Sequence, residues 1–151
     1  MAGLYFTLKK EITLSASVGP ITLVQLVAPS NQRVEVVGAD VSMNGVTSSD
    51  PPVLFEILTQ STAGTMSALT PGKVNPSDSE SVQSTAQHTA VSEPTAGTVI
   101  CGEYISSLTG GFIPLPNGVI PVAGAGRLGI RYTSGALTGT VKACITLTCR
   151  E

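Results

Sequence analysis

Charged side chains are scarce in this chain of 151 residues, where Asp, Glu, Lys and Arg together make up 12%. That is about half of the share in an ordinary soluble protein. The net charge is −2, and the basic residues are scattered singly apart from Lys9-Lys10. Because no positive stripe is available to follow a phosphate backbone, nucleic acid is disfavoured as a partner. With so few charges, either Ser and Thr hydroxyls carry the surface or partner subunits cover much of it, and we favour the covered surface.

Long apolar runs are also absent. The longest, such as Ile21–Ala28, fall far short of the roughly 18 residues that a membrane-spanning helix needs, so we expect no membrane contact. At the N-terminus Lys9 and Lys10 follow the apolar residues instead of preceding them, which is the wrong order for a secretory signal. We therefore expect synthesis and retention in a cytosol.

Residue types that carry catalysis are few. The single histidine, His88, lies in the polar run QSTAQHTAV, and acid–base catalysis needs a titratable group held near neutral pH. We interpret His88 as an ordinary surface residue. No G-x-S-x-G motif occurs, so any serine triad would also depend on His88. Tryptophan is absent and only three tyrosines are present, which leaves little aromatic surface for a carbohydrate.

Metal and redox motifs are missing as well. Three cysteines occur without a C-x-x-C spacing, and Cys144 and Cys149 are five apart on an apparent strand, so they point to opposite faces and cannot bridge. We predict free thiols and no zinc. Asp78 and Glu80 could hold a weak cation, but a calcium loop requires more oxygens, so solvated loop charges are the preferred interpretation. We predict no catalytic, cofactor-binding or metal-binding residue.

Alternation of apolar and polar residues dominates the chain and predicts β-strands. In the last segment Val141, Ala143, Ile145, Leu147 and Cys149 share one face. Seven further strands are predicted at Leu4–Leu14, Ile21–Ala28, Gln32–Met43, Val53–Gln60, Thr98–Leu108, Gly111–Leu115 and Arg127–Thr133. About eight short strands separated by Gly and Pro turns predict an all-β fold, an antiparallel two-sheet sandwich that is jelly-roll-like.

Two irregularities interrupt this alternation. Beyond Gly38 the apolar positions shift by one residue, which a β-bulge at Gly38 would absorb. Residues 61–98 are rich in Ser, Thr, Ala, Gly and Pro, and we predict a long excursion that carries contacts and contains one short strand near Gln83–Val91. A loose linker is the other interpretation of residues 61–98.

Gly124, Gly126 and Gly129 match the G-x-G-x-x-G spacing of dinucleotide-binding turns. That motif functions between a strand and a helix, with the helix N-terminus facing a pyrophosphate. Here Leu128, Ile130 and Tyr132 alternate with polar residues, so the motif opens a strand and we predict no nucleotide site.

Arg127 and Arg131 are four residues apart on one predicted strand and so share a face. They could form a small anion site, but arginines that pair with surface carboxylates are the preferred interpretation.

Several segments in this order resemble a group of small structural proteins of tailed bacteriophages, and the similarity runs from about Val34 to Glu151. In that group a strand ends in a Q-S-T-A-G-T turn, a proline-containing loop follows, and a G-R-L-G-I-R strand precedes the last one. Val91 occupies a place where the group often has an aromatic residue. The matching segments are PPVLFEILTQSTAGT (Pro51–Thr65), LTPGKVNP (Leu69–Pro76), SEPT (Ser92–Thr95), PVAGAGRLGIRYTS (Pro121–Ser134) and the terminal strand.

The resemblance implies a jelly-roll-like capsid decoration protein or another virion surface protein, assembled in the host cytoplasm. It implies binding to the major capsid protein or other virion proteins, and a symmetric oligomer, with a trimer favoured. We expect one domain over residues 1–151, in which residues 1–14 form a strand or an extended N-terminal arm that pairs with a neighbour. The alternatives are a receptor- or glycan-binding module of a tail or fibre, and a hydrolase whose site the sequence does not reveal.

Overall fold

A computed structural model describes residues 3–15, 19–133 and 137–151, so Met1, Ala2 and Ser134 of the segments discussed above lie outside the described residues. Apart from a short 3-10 turn at Pro116–Gly118, the regular structure of the described residues consists of strands. They are β1 (Tyr5–Ser15), β2 (Ile21–Val27), β3 (Val34–Met43), β4 (Val53–Gln60), β5 (Thr65–Leu69), β6 (Gly72–Lys73), β7 (Thr85–Ser92), β8 (Ala96–Ile105), β9 (Gly111–Phe112), β10 (Ile120–Val122), β11 (Arg127–Thr133) and β12 (Thr140–Arg150).

The strands form two antiparallel sheets packed as a sandwich. Sheet 1 has the order β10-β3-β12-β1-β6, with β9 also beside β3, and sheet 2 has the order β5-β7-β2-β11-β4-β8. The eight strands predicted from the sequence give the orders β1-β12-β3-β9 and β2-β11-β4-β8, which is the arrangement of a jelly roll. The remaining strands, β5, β6, β7 and β10, are additions to this frame, and β7 matches the short strand predicted near Gln83–Val91.

The core lies between the sheets and follows the predicted alternation. Val141, Ala143, Ile145, Leu147 and Cys149 of β12 are all buried. The predicted bulge is confirmed one residue before Gly38, since Gly38 pairs with Thr148 and Val36 pairs with Cys149, which leaves Val37 as the extra residue. Five apolar residues of β3 were assigned to the core side. Met43 is partly buried against the core, and the other four are buried: Val34, Val36, Ala39 and Val41.

The N-terminal segment is a strand of its own sandwich and not an extended arm. All eleven residues of β1 pair with β12, from Tyr5 opposite Arg150 to Ser15 opposite Thr140. The apolar side chains of β1 point into the core, and the most deeply buried are Phe6 and Leu8. Pairing with a neighbouring molecule is therefore not what orders this segment.

Residues 61–98 are largely ordered as sheet. β7 pairs with β2, β5 pairs with β7, and β6 pairs with Phe6 and Thr7 of β1. The excursion thus extends both sheets at the edge formed by β1 and β2. Within the described residues no helix is long and apolar enough to cross a membrane.

Candidate functional site

Three segments that are far apart in the sequence meet on the outer face of sheet 2. The turn after β4, the Ser-Glu-Pro-Thr element before β8, and the start of β11 contribute side chains there, together with β2. We call this group the polar cluster; its members are Thr22, Gln25, Gln60, Thr62, Glu93 and Arg127. Thr22 and Gln25 are completely buried, and Gln60 nearly so.

The centre of the polar cluster is a pair of glutamines. Gln25 Nε2 donates to Gln60 Oε1 at 2.7 Å and to the Thr62 carbonyl oxygen at 3.0 Å. Gln60 Nε2 donates to Thr22 Oγ1 at 2.8 Å. Because buried amides are costly to leave without partners, these bonds together fix the end of β4 and the turn after it against β2.

Gly129 provides the space that Gln60 occupies. A Cβ at Gly129 would lie 2.5 Å from Gln60 Oε1 and 2.8 Å from Gln60 Nε2. The last glycine of the G-x-G-x-x-G pattern is therefore needed for packing. Its other two glycines approach backbone, since a Cβ at Gly124 or Gly126 would lie under 3 Å from a carbonyl oxygen. The pattern opens strand β11, as predicted.

Glu93 bonds to the part of β2 that β7 does not reach. β7 pairs with β2 only over Val24–Val27, because the backbone turns away at Thr89, which has a left-handed φ of 53°. Thr22 lies beyond that pairing, and its backbone N–H donates to Glu93 Oε1 at 2.7 Å while its hydroxyl donates to Glu93 Oε2 at 2.8 Å. The carboxylate thereby satisfies a backbone group that would otherwise be buried without a partner.

The two arginines of β11 have separate partners. Arg131 Nη2 donates to Glu56 Oε2 at 2.7 Å, with Nε at 3.2 Å, and Thr133 Oγ1 donates to the same oxygen at 3.0 Å. Arg127 Nη1 donates to Gln25 Oε1 at 3.1 Å. Arg131 therefore matches the predicted carboxylate pairing, whereas Arg127 belongs to the polar cluster.

A second carboxylate holds the other end of β7. Glu151 Oε1 accepts from the Gln83 backbone N–H at 2.6 Å, and Glu151 Oε2 accepts from the N–H and the hydroxyl of Ser84 at 3.1 and 2.7 Å. A cleft of about 490 Å³ lies beside these contacts, lined by Gly3, Leu4, Gln32, Glu80, Ser81, Gln83 and Glu151. Glu93 and Glu151 together hold the excursion at both ends of β7.

The other residues weighed for chemistry lie apart from this cluster. His88 is partly buried on β7, its Nδ1 lies 3.0 Å from Thr89 Oγ1, and burial together with the nearby Lys10 ammonium lowers its pKa. Asp78 Oδ1 accepts from Asn75 Nδ2 at 2.7 Å. Among the residues that the structure describes, no three His, Cys, Asp or Glu side chains are placed to hold a metal ion.

The three cysteines are free, as predicted, and they differ in burial. Cys149 is completely buried, and burial, with a smaller contribution from Glu151, raises its pKa to about 12. Burial also raises the pKa of Cys101. Cys144 is partly exposed on the opposite face of β12 from Cys149, which confirms the predicted alternation.

We expect a thiol reagent at pH 8 to modify at most two cysteines in the folded protein and the third only in denaturant. The thiolate is the reactive form, and a pKa of about 12 leaves Cys149 about one part in ten thousand ionised at pH 8. Because its folded pKa lies above the usual 9.0, the stability gained from the neutral thiol is complete below pH 9 and lost between pH 9 and about 12. Three thiols reacting at one rate without denaturant would contradict this.

Sequence reasoning missed part of the polar cluster. Thr22 and Gln25 lie in the apolar run ITLVQLVA, where the alternation assigns no partner to either, and Glu93 is 71 residues from Thr22. The one available signal was Gln25 itself, a long amide between valine and leucine in a strand that is buried on both faces.

No protein-family model matches this chain. No curated protein matches its sequence either. The fold and the polar cluster are therefore the basis for a functional assignment.

Proposed function

We propose that the chain is a non-enzymatic structural protein of a bacteriophage virion, a decoration protein that binds the capsid shell and neighbouring copies of itself. The proposal rests on the sequence resemblance to phage structural proteins, and the observation that supports it is the meeting of three of the resembling segments in the polar cluster. Gln60 and Glu93 both hydrogen-bond to the Thr22 hydroxyl. Arg127 donates to Gln25, which lies on the same strand of the jelly roll as Thr22. These side chains stabilise the fold. A protein that binds through its surface requires a stable shape of this kind.

The outer face of sheet 1 supports this proposal through its chemistry. It carries hydroxyls at Thr7, Thr13, Ser42, Thr146 and Thr148, which are exposed or partly exposed. A face of this kind offers donors and acceptors to a partner without a strong electric field.

Most charged residues on that face are paired with one another. Lys142 Nζ lies 3.2 Å from Glu11 Oε1, and Glu35 contacts both Arg33 and Arg150. The Arg150 guanidinium, which donates to Glu35, lowers the pKa of that carboxyl. Because these charges neutralise each other, we infer that the face binds through shape and hydrogen bonds more than through electrostatic attraction.

We expect purified virions that contain the chain to retain it through a wash at about 1 M salt. Electrostatic docking weakens as salt shortens the screening length to about 3 Å, whereas hydrogen-bonded and apolar contacts do not depend on it in this way. The measurement is electron cryo-microscopy of virions from the phage that encodes the chain, before and after the wash, with occupancy read from the map.

Four outcomes would contradict the proposal. Absence of the chain from virions would contradict a structural role, and density at a tail fibre tip instead of the shell would favour the receptor-binding alternative. Release by salt alone would show that charge holds the chain in place. A bound glycan detected at a defined groove would likewise favour receptor binding.

A further inference from the structure

The four edges of the two sheets differ in how they are protected from pairing with another chain. Along β1, β6 covers Phe6 and Thr7, and Lys9, Lys10 and Glu11 follow. Lys10 lies on the core-facing side of the strand, between Leu8 and Ile12 in the alternation, and near enough to His88 to affect its pKa. Inward-pointing charges of this kind prevent a second strand from adding to an edge.

Two other edges are short. β5 has five residues and ends two residues before Pro71. The edge beside β3 is divided between β9 and β10, of two and three residues, and contains Pro121. Short strands and prolines are both ordinary means of blocking an edge.

The free edge of β8 has neither protection. It is ten residues long, contains no proline and has Glu103 as its single charge, and among the described residues β4 is its one partner strand. Two bulges, at Ile100 and at Gly97-Thr98, disturb its pairing with β4 and protect the first half of this edge in part. The half from Cys101 to Ile105 pairs regularly.

The geometry points to β8 as the surface through which two copies of this chain pair, antiparallel and about a two-fold axis. In the register that overlaps all ten residues, the side chains complement each other. Tyr104 lies opposite the partner's Gly97, Val99 opposite the partner's Gly102, and Glu103 opposite the partner's Thr98. Each large residue therefore meets a small one, and no charge meets a like charge.

The register centred on Glu103 is worse. Pairing the regular halves with each other would place Glu103 directly opposite its own copy, which like-charge repulsion opposes. The ten-residue register instead sets the regular half of each copy against the bulged half of the other.

Most of the contact area would come from the paired strands. Tyr104 is 68% exposed, and taking about 200 Å² for an aromatic side chain, it leaves about 140 Å² in solvent per copy. The rest of the roughly 1,200 Å² of a specific interface would come from the two paired strands, each about 34 Å long.

This inference specifies the contact between neighbouring copies and therefore rests on the proposed function. A two-fold contact predicts a dimer in solution in place of the trimer that the phage resemblance implies. The isolated protein tests the pairing, whereas virions test the function, so the two can fail separately.

We expect the double variant Thr98→Cys with Glu103→Cys to form a covalent dimer when oxidised. In the proposed register each introduced thiol lies opposite the other type on the partner, at the close Cβ separation of paired strands. Within one chain the two positions are about 17 Å apart along the strand and cannot bridge. The single variants are matched controls and should stay without a covalent dimer, as should the native chain, whose Cys101 lies opposite Ile100.

Charge substitutions at one exposed position give an independent test by sedimentation equilibrium. Thr98→Glu should weaken the dimer about tenfold, because each dimer contains the Glu–Glu pair twice, and Thr98→Lys should strengthen it. Adding Glu103→Lys to Thr98→Glu should restore association. A variant effect on folding alone would not reverse with the sign of the charge.

Each outcome decides the inference. A native chain that is monomeric at about 50 μM, a trimer without cross-links, or equal effects of Glu and Lys at position 98 would overturn the β8 pairing. A monomer that still decorates virion shells would leave the proposed function standing.

Discussion

A chain that lacks residues 1–14 is expected to be unfolded at 25 °C. The deletion removes nearly all of β1, which pairs along its whole length with β12. It also removes five buried side chains: Leu4, Phe6, Leu8, Ile12 and Leu14. At about 1.5–3 kcal/mol for each buried side chain, the loss is roughly 7–15 kcal/mol, as large as the whole stability of a typical domain.

Circular dichroism and thermal unfolding would measure the effect of this deletion. Phe6→Ala, at a completely buried position, is the graded variant and should cost about 3–5 kcal/mol while the fold persists. Thr13→Ala is the matched control on the same strand, and because its side chain is exposed it should cost less than about 1 kcal/mol. A truncated chain with a cooperative unfolding transition would show that β1 is a dispensable arm.

The frame of the fold was predictable because alternation reports burial directly. All eight predicted strands are present, and β12 buries the five residues that its pattern assigned to the core. The shift of parity at Gly38 was enough to predict a bulge, since one extra residue is the simplest way to keep Val36 and Ala39 on the same side. Patterns of this kind need no knowledge of which strands are neighbours.

The excursion was harder to interpret for a physical reason. β5 and β7 are edge additions whose side chains are mostly exposed or partly exposed, so burial imposes no strict alternation on them. Their order comes from backbone pairing and from two carboxylates. Glu93, just after β7, accepts the Thr22 N–H of β2, and Glu151 accepts the Gln83 N–H just before β7. Such long-range bonds leave no periodic trace in the sequence.

The polar cluster was hard to predict for the same reason. The sequence offered the motifs around Gln60, Glu93 and Gly129 separately, as parts of a resemblance and as a glycine pattern. Their common purpose depends on β4 lying beside β11 and on the excursion returning over β2, which is a property of the topology. The three motifs therefore belong to one hydrogen-bonded cluster.

Gly129→Ala should lower the free energy of unfolding by about 2–4 kcal/mol. Gly129 has an ordinary strand backbone, so alanine is not excluded by its conformation, but the new Cβ would lie 2.5 Å from Gln60 Oε1. Gln60 would have to leave its bonds to Gln25 and Thr22. Two buried groups would then lose partners, at about 1–3 kcal/mol each. Gly19→Ala is the matched control, because a Cβ there meets nothing within 4 Å.

A double-mutant cycle with Gln60→Ala isolates the cause of this effect. Once Gln60 is truncated, the space beside Gly129 is open, so Gly129→Ala in that background should cost less than about 1 kcal/mol, measured by urea unfolding. The difference between the two backgrounds is the coupling energy, expected at about 2–3 kcal/mol. If Gly129→Ala costs the same with and without Gln60, the glycine is required by the sheet itself, and Gln60 is not what holds the turn after β4 in place.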